Sequence, residues 1–185
     1  MKIHIPAHIP QSMRATYEEN YRLITRDTGR LMLLAGDQKV EHLNDDFYGA
    51  DIAKEDNDPE HIFRIASKAN IGVFATQLGM ISKYGLDYKD VPYLVKLNSK
   101  SHLVKTEQSD PMSSAWFGIE QVLELKENSG LQIAGIGYTV YLGSEYEAQM
   151  LSEAAQLVYD AQYAGLVTVL WIYPRGEAVT DEKDA

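Results

Sequence analysis

Cysteine is absent from the 185 residues, which excludes disulfides, zinc–thiolate centres and a cysteine nucleophile. No apolar run approaches the roughly eighteen residues of a membrane span, so no membrane partner is expected. The N-terminal residues Met1-Lys2-Ile3-His4-Ile5-Pro6 lack an apolar segment of signal-peptide length. Together with the missing cysteine, this predicts a cytoplasmic protein. Basic residues are scarce: 17 Lys and Arg stand against 27 Asp and Glu, a formal charge of −10. That balance argues against nucleic acid as a partner. A small phosphorylated ligand stays allowed, because it needs only a few local donors. Neither the dinucleotide turn G-x-G-x-x-G nor a phosphate loop ending in G-K-[ST] occurs. The first apolar run ends instead in Ala35-Gly36-Asp37-Gln38-Lys39.

What is present alternates between two periods. Short apolar runs at residues 31–36, 71–76, 93–98, 133–139 and 166–173 read as buried strands. Between them lie helical stretches at 77–85, 113–127 and 145–163, with a further helix after Asp58-Pro59 and another over 11–28. Asp58 reads as an N-cap with Pro59 in the first turn. Asn128-Ser129-Gly130 and Gly165 read as helix stops. Residues 43–58 read as a polar loop. Strands spaced by helices predict right-handed βαβ units and a parallel sheet. Periodicity alone allows two α/β architectures, a five-stranded open sheet or part of a β/α barrel.

Candidate chemistry gathers at the strand ends, where parallel sheets keep their sites. Val167, Val169, Trp171 and Tyr173 share one face of the last strand; Pro174 ends the ladder and Arg175 follows. Tyr173 reads as a proton donor or as a packed aromatic. Asp37 follows the first strand and reads as an acid–base carboxylate or as a turn and helix cap. His42, beside Glu41, is a general-base candidate or a surface histidine. Lys96 lies inside an apolar strand and must direct its ammonium to water or to a partner; it reads as an anion contact or as an edge-strand lysine. Asn98 is placed on the same face. Gly143-Ser144 reads as an amide nest for an anion or as a plain cap. Glu41, His42, Asp45 and Asp46 form an acidic group that mostly reads as solvated, so no metal is assigned.

Four of these segments, in this order, resemble one family. Gly36-Asp37-Gln38-Lys39-Val40-Glu41-His42, Lys96-Leu97-Asn98, Gly137-Tyr138-Thr139-Val140-Tyr141 with Gly143-Ser144, and Trp171-Ile172-Tyr173-Pro174-Arg175-Gly176 are similar to motifs of the archaeal-type class I fructose-1,6-bisphosphate aldolases, within the DhnA-like aldolases. Lys39 departs from the pattern, which usually has glycine there.

The resemblance implies a (β/α)8 TIM barrel, of which this chain holds about five of eight βα units. It divides the chain into an N-terminal extension and helix (1–30), the first five barrel strands (31–176) and an acidic tail (177–185). It also implies Schiff base chemistry on a phosphorylated sugar, with no cofactor, in a homo-oligomer. Asp37, Tyr173 and His42 would be catalytic, and Trp171, Arg175, Lys96 and Asn98 would bind substrate. The Schiff-base lysine belongs to a sixth strand, which the chain does not contain. It is therefore expected to be the N-terminal part of a longer enzyme, with little activity alone. Alternatives are a related aldol-type transfer enzyme of aromatic precursor synthesis, or an inactive partial barrel serving as a binding or assembly subunit.

Overall fold

The computed structural model describes residues 2–42, 46–100 and 110–180. A 3-10 turn, Gln11–Met13, leads into helix α1, Arg14–Thr25. Strand β1 (Leu33–Ala35) is followed by the one-turn helix α2 (Gln38–Glu41) and helix α3 (His61–Lys68). Then come β2 (Val73–Gln77), α4 (Leu78–Tyr84), β3 (Tyr93–Lys96), α5 (Ile119–Ser129), β4 (Ile133–Leu142), α6 (Glu147–Tyr163) and β5 (Val167–Pro174).

The five strands are parallel and lie in the order β1-β2-β3-β4-β5. Each pairs with the next in the chain, and the order never reverses. A doubly wound sheet needs such a reversal, so the open-sheet alternative is overturned and the curled half-barrel stands. The two faces confirm it. Helices α3, α4, α5 and α6 all pack on the outer face, where Phe63, Ile81, Val122 and Met150 meet Phe74, Tyr93, Val95, Ile136 and Tyr138. The rings of Phe63 and Phe74 meet edge to face at 5.0 Å. Burying each such side chain contributes about 1.5–3 kcal/mol.

The inner face carries Val73, Ala75, Leu94 and Val167, continued by Val169 and Trp171. Its lower end is plugged by the N-terminal segment, with Ile9, Tyr17 and Ile24 packed into the same cluster. The plug touches the points where strands begin. The Asn20 amide donates to the Gly165 carbonyl at 2.8 Å, and a Cβ on Gly72 would lie 1.8 Å from the Ile24 carbonyl oxygen. Chemistry is thereby left to the opposite end, at the C-terminal tips of the strands.

Local signals set most boundaries. Gly130 (φ +66°) and Gly165 (φ +77°) close α5 and α6 in the left-handed region where glycine carries no Cβ penalty. The Asp58 carboxylate accepts the Glu60 N–H at 3.0 Å ahead of α3. Two boundaries differ: α3 begins at His61 with Glu60, not Asp58, at its N-cap, and α5 begins at Ile119 rather than at Ser113. Residues 110–118 are held by long-range bonds instead, among them Ala115 N–H to the Glu153 carboxylate at 2.8 Å. Among the described residues, no helix is long and apolar enough to cross a membrane.

Candidate active site

Asp37 follows β1 after the single residue Gly36, and α2 begins with the next residue. Its carboxylate makes no capping bond to that helix. It turns into the barrel instead and accepts a bond from Lys96 Nζ at 2.6 Å. Lys96 ends β3, on the inner face that also carries Leu94, and its side chain is only 2% exposed. The ammonium lies 3.4 Å from Glu41 Oε1 and 4.8 Å from the centroid of the Trp171 ring. An ammonium has three donors, and here they meet two carboxylates and an indole face. The edge-strand reading of Lys96 therefore gives way to an interior one. Gln77, at the end of β2, fixes the surroundings: its amide donates to the Asp37 carbonyl (3.2 Å) and to the Ser99 hydroxyl (2.8 Å). Burial pushes the Glu41 carboxyl above the usual range. Lys96 opposes that push, Asp37 adds to it, and the Ser99 hydroxyl opposes it.

Trp171 reaches across β4 because Gly137 makes room. A Cβ on Gly137 would lie 2.3 Å from the indole and 2.7 Å from Leu94 Cδ2. Gly137 is also the registered partner of Lys96, so one missing side chain lets β5 touch the residue at the tip of β3. One layer higher, Tyr141 and Tyr173 are register partners. Their rings stack at 5.9 Å, and the Arg175 guanidinium lies 4.7 Å from the Tyr173 ring centroid. The Tyr141 phenol is pushed up to about 12, chiefly by burial and by Glu41, with Arg175 pulling the other way. The inner mouth thus holds carboxylates, one buried ammonium, two phenols and an exposed guanidinium.

Other expected residues lie elsewhere. Asn98 is fully buried; its amide donates to the Ser113 and Thr139 carbonyls, both at 2.9 Å, and its oxygen accepts the Thr139 N–H at 2.8 Å. Every amide hydrogen is spent on backbone, so Asn98 ties the loop after β3 to β4 and has no donor for a substrate. His42 is exposed at the end of α2, with Nδ1 3.0 Å from an Asp46 oxygen. Lys39 turns outward over the Phe47 ring, 3.8 Å from its centroid. The Gly143 N–H is taken by the Glu147 carboxylate (2.6 Å) and the Ser144 hydroxyl donates to the Pro111 carbonyl (2.8 Å), so the nest reading gives way to a loop clamp. Asp45, of the acidic group, and 181–185 of the tail lie outside the described residues. Among those described, no group of three or more His, Asp or Glu side chains could hold a metal ion.

Gln77 and Ser99 are members of the site that the residue patterns did not mark, and Glu41 and Tyr141, present in the motifs, were given no role there. Gln77 had a readable signal: it ends the alternation Val73, Ala75, Gln77, as Lys96 ends Leu94, Lys96.

Comparison with known proteins bears on the same stretch. A Methanocaldococcus jannaschii protein named fructose-bisphosphate aldolase/6-deoxy-5-ketofructose 1-phosphate synthase is 54% identical over 182 residues, covering 98% of this chain and 58% of that protein. A Thermoproteus tenax fructose-bisphosphate aldolase class 1 is 34% identical, covering 91% and 59%. The solved structure of a Slackia heliotrinireducens fructose-bisphosphate aldolase matches with a TM-score of 0.94 at 54% identity, over 100% of this chain and 57% of that one. A Schiff base-forming fructose-1,6-bisphosphate aldolase matches with a TM-score of 0.73 at 32% identity, over 91% and 61%. The chain thus spans somewhat less than two thirds of these relatives. Residues 31–185, nearly all of the half-barrel and its mouth, match the sequence model of the DeoC/LacD family aldolase, and the chain belongs to that family.

Proposed function

We propose that the protein carrying this chain is a class I, lysine Schiff base aldolase that cleaves or forms fructose 1,6-bisphosphate, and that this chain supplies one wall of its site. The observation that carries the reading is the convergence of Asp37, Lys96 and Trp171 at the C-terminal mouth of a half-barrel, with Tyr173 stacked on Tyr141 farther along β4 and β5. In the reaction, a lysine amine adds to the substrate ketone and loses water to give an iminium. The C–C bond then breaks, its electron pair moves into the enamine, and the hydroxyl proton of the departing aldehyde goes to a base. Asp37 is assigned to that hydroxyl, and Tyr173 to protonating the enamine carbon, with His42 assisting at the rim. Trp171 walls the substrate, and Arg175 holds a phosphate with its planar fork. The nucleophile is assigned to a sixth strand outside this chain, since the donors of Lys96 are already engaged. A homo-oligomeric state belongs to the same proposal.

The name of the 54% identical M. jannaschii relative favours a second reading, aldol transfer giving a 6-deoxy-5-ketofructose 1-phosphate. A coupled cleavage assay on fructose 1,6-bisphosphate, with and without a chelator, tests the first. Chelator-insensitive release of triose phosphates supports it. A requirement for added divalent metal would overturn the class I assignment. Formation of the deoxyketose phosphate without fructose 1,6-bisphosphate cleavage would favour the second reading.

A further inference from the structure

Two carboxylates converge on one buried ammonium. Asp37 stands immediately before α2 and Glu41 is its last residue, so a single helical turn aims both into the barrel. The side chains of Asp37 and Glu41 are 13% and 19% exposed, which leaves little water to screen one from the other. Lys96 is shared unequally, at 2.6 Å from Asp37 and 3.4 Å from Glu41. Charge-assisted N–H···O contacts settle near 2.7–2.9 Å, so Asp37 is the tight partner and Glu41 the loose one. Neither the reaction scheme nor the helix itself uses Glu41.

We infer that Glu41 is a positioning residue: acting through Lys96, it holds the ammonium between the two carboxylates and places a second negative charge beside Asp37. The inference rests on the assignment of Asp37 as the carboxylate that acts on the substrate hydroxyl, and deepens it. The groups facing Glu41 are Lys96 from β3, Asp37 from its own turn, Tyr141 from β4, and the Ser99 hydroxyl from the loop after β3. Its carboxyl lies above the usual range, first through burial and then through Asp37, while Lys96 and Ser99 pull it down. A group in that balance is sensitive to its neighbours, and they to it.

The test is Glu41→Gln in the full-length protein, with two readouts. The first is the pH profile of fructose 1,6-bisphosphate cleavage. Glu41→Gln takes away a like charge beside the carboxylate that acts on the substrate. The acid limb of kcat/KM should therefore move down by about one pH unit, while KM changes less than about twofold. The second is carbon-13 NMR of labelled side-chain carboxyls, which requires no activity. In the parent, Glu41 should titrate above the ordinary glutamate range, and in Lys96→Met its midpoint should rise further, because the ammonium that opposes the rise is gone. An acid limb that stays in place in E41Q, or a Glu41 midpoint that Lys96→Met leaves unmoved, would overturn the inference. If the parent cleaves no sugar phosphate, the functional reading fails, and the Glu41 titration alone decides whether Glu41 is coupled to Lys96.

Discussion

Replacing Lys96 by methionine removes the one cation between Asp37 and Glu41 while nearly keeping its volume. The Lys96 side chain is 2% exposed, and its partners are 13% and 19% exposed, so solvent cannot take over the pairing. Breaking one partner out of a buried ion set leaves uncompensated charge and costs about 3–5 kcal/mol. That is a large share of a typical domain stability of about 5–15 kcal/mol. The cost should depend on pH with a definite sign. In the parent, the Glu41 carboxyl already lies above its ordinary range, so the folded state keeps a proton that the unfolded chain has released. Stability from that group is full below the ordinary glutamate range and is lost as pH rises through the raised value. Lys96→Met removes the main opposing influence. The loss then extends to higher pH, at up to about 1.4 kcal/mol per pH unit for each proton involved. Urea unfolding of parent and variant at pH 8 and pH 5 measures this. The variant should be about 3–5 kcal/mol less stable at pH 8 and recover much of the difference at pH 5. A variant within about 1 kcal/mol of the parent at both pH values would refute the description of this cluster. The triple variant Asp37→Asn, Glu41→Gln, Lys96→Met carries no buried charge here, and should be more stable at pH 8 than Lys96→Met alone.

Asn98→Leu removes the partners of three backbone groups in a fully buried place; it should cost about 3 kcal/mol or more by denaturant titration. Gly176→Ala puts a Cβ 1.8 Å from the Gly143 carbonyl carbon and 1.9 Å from Ser144 N. Backbone cannot yield as a side-chain tip can, so the loops after β4 and β5 should separate, which proteolysis within residues 174–180 would reveal. Tyr173→Phe should lower kcat about a hundredfold with little change in KM; equal turnover would remove the phenol from the reaction. Gly137→Ala should displace the Trp171 indole from Lys96 and shift the tryptophan fluorescence, Trp116 being the only other indole.

Strand alternation in the sequence was a reliable guide where it applied. It correctly placed Lys96 on the inner face of β3, and Val167, Val169, Trp171 and Tyr173 on one face of β5, because side-chain parity is a local property of an extended chain. It failed at Asn98, where β3 has already ended at Lys96 and period two no longer holds. Partner choice was not legible. Asp37 taken alone read first as a helix cap or turn residue, and only a lysine 59 residues away decides otherwise. Glu41 was read within a solvated acidic group, because a helix of a single turn gives no periodic signal for the inward direction its side chain takes. The choice between barrel and open sheet depends on strand order, which periodicity does not encode. The motifs carried the family where single residues could not, because four segments in order restrict a fold more than any one strand end.

The central claim is that this chain forms one wall of a Schiff base aldolase site whose nucleophile lies outside it. Borohydride trapping of the full-length protein with dihydroxyacetone phosphate, followed by peptide mapping, tests this most directly. The account predicts one covalent adduct, on a lysine beyond Ala185, with Lys96 unmodified. An adduct on Lys96, or none on any lysine while the enzyme turns over, would contradict it.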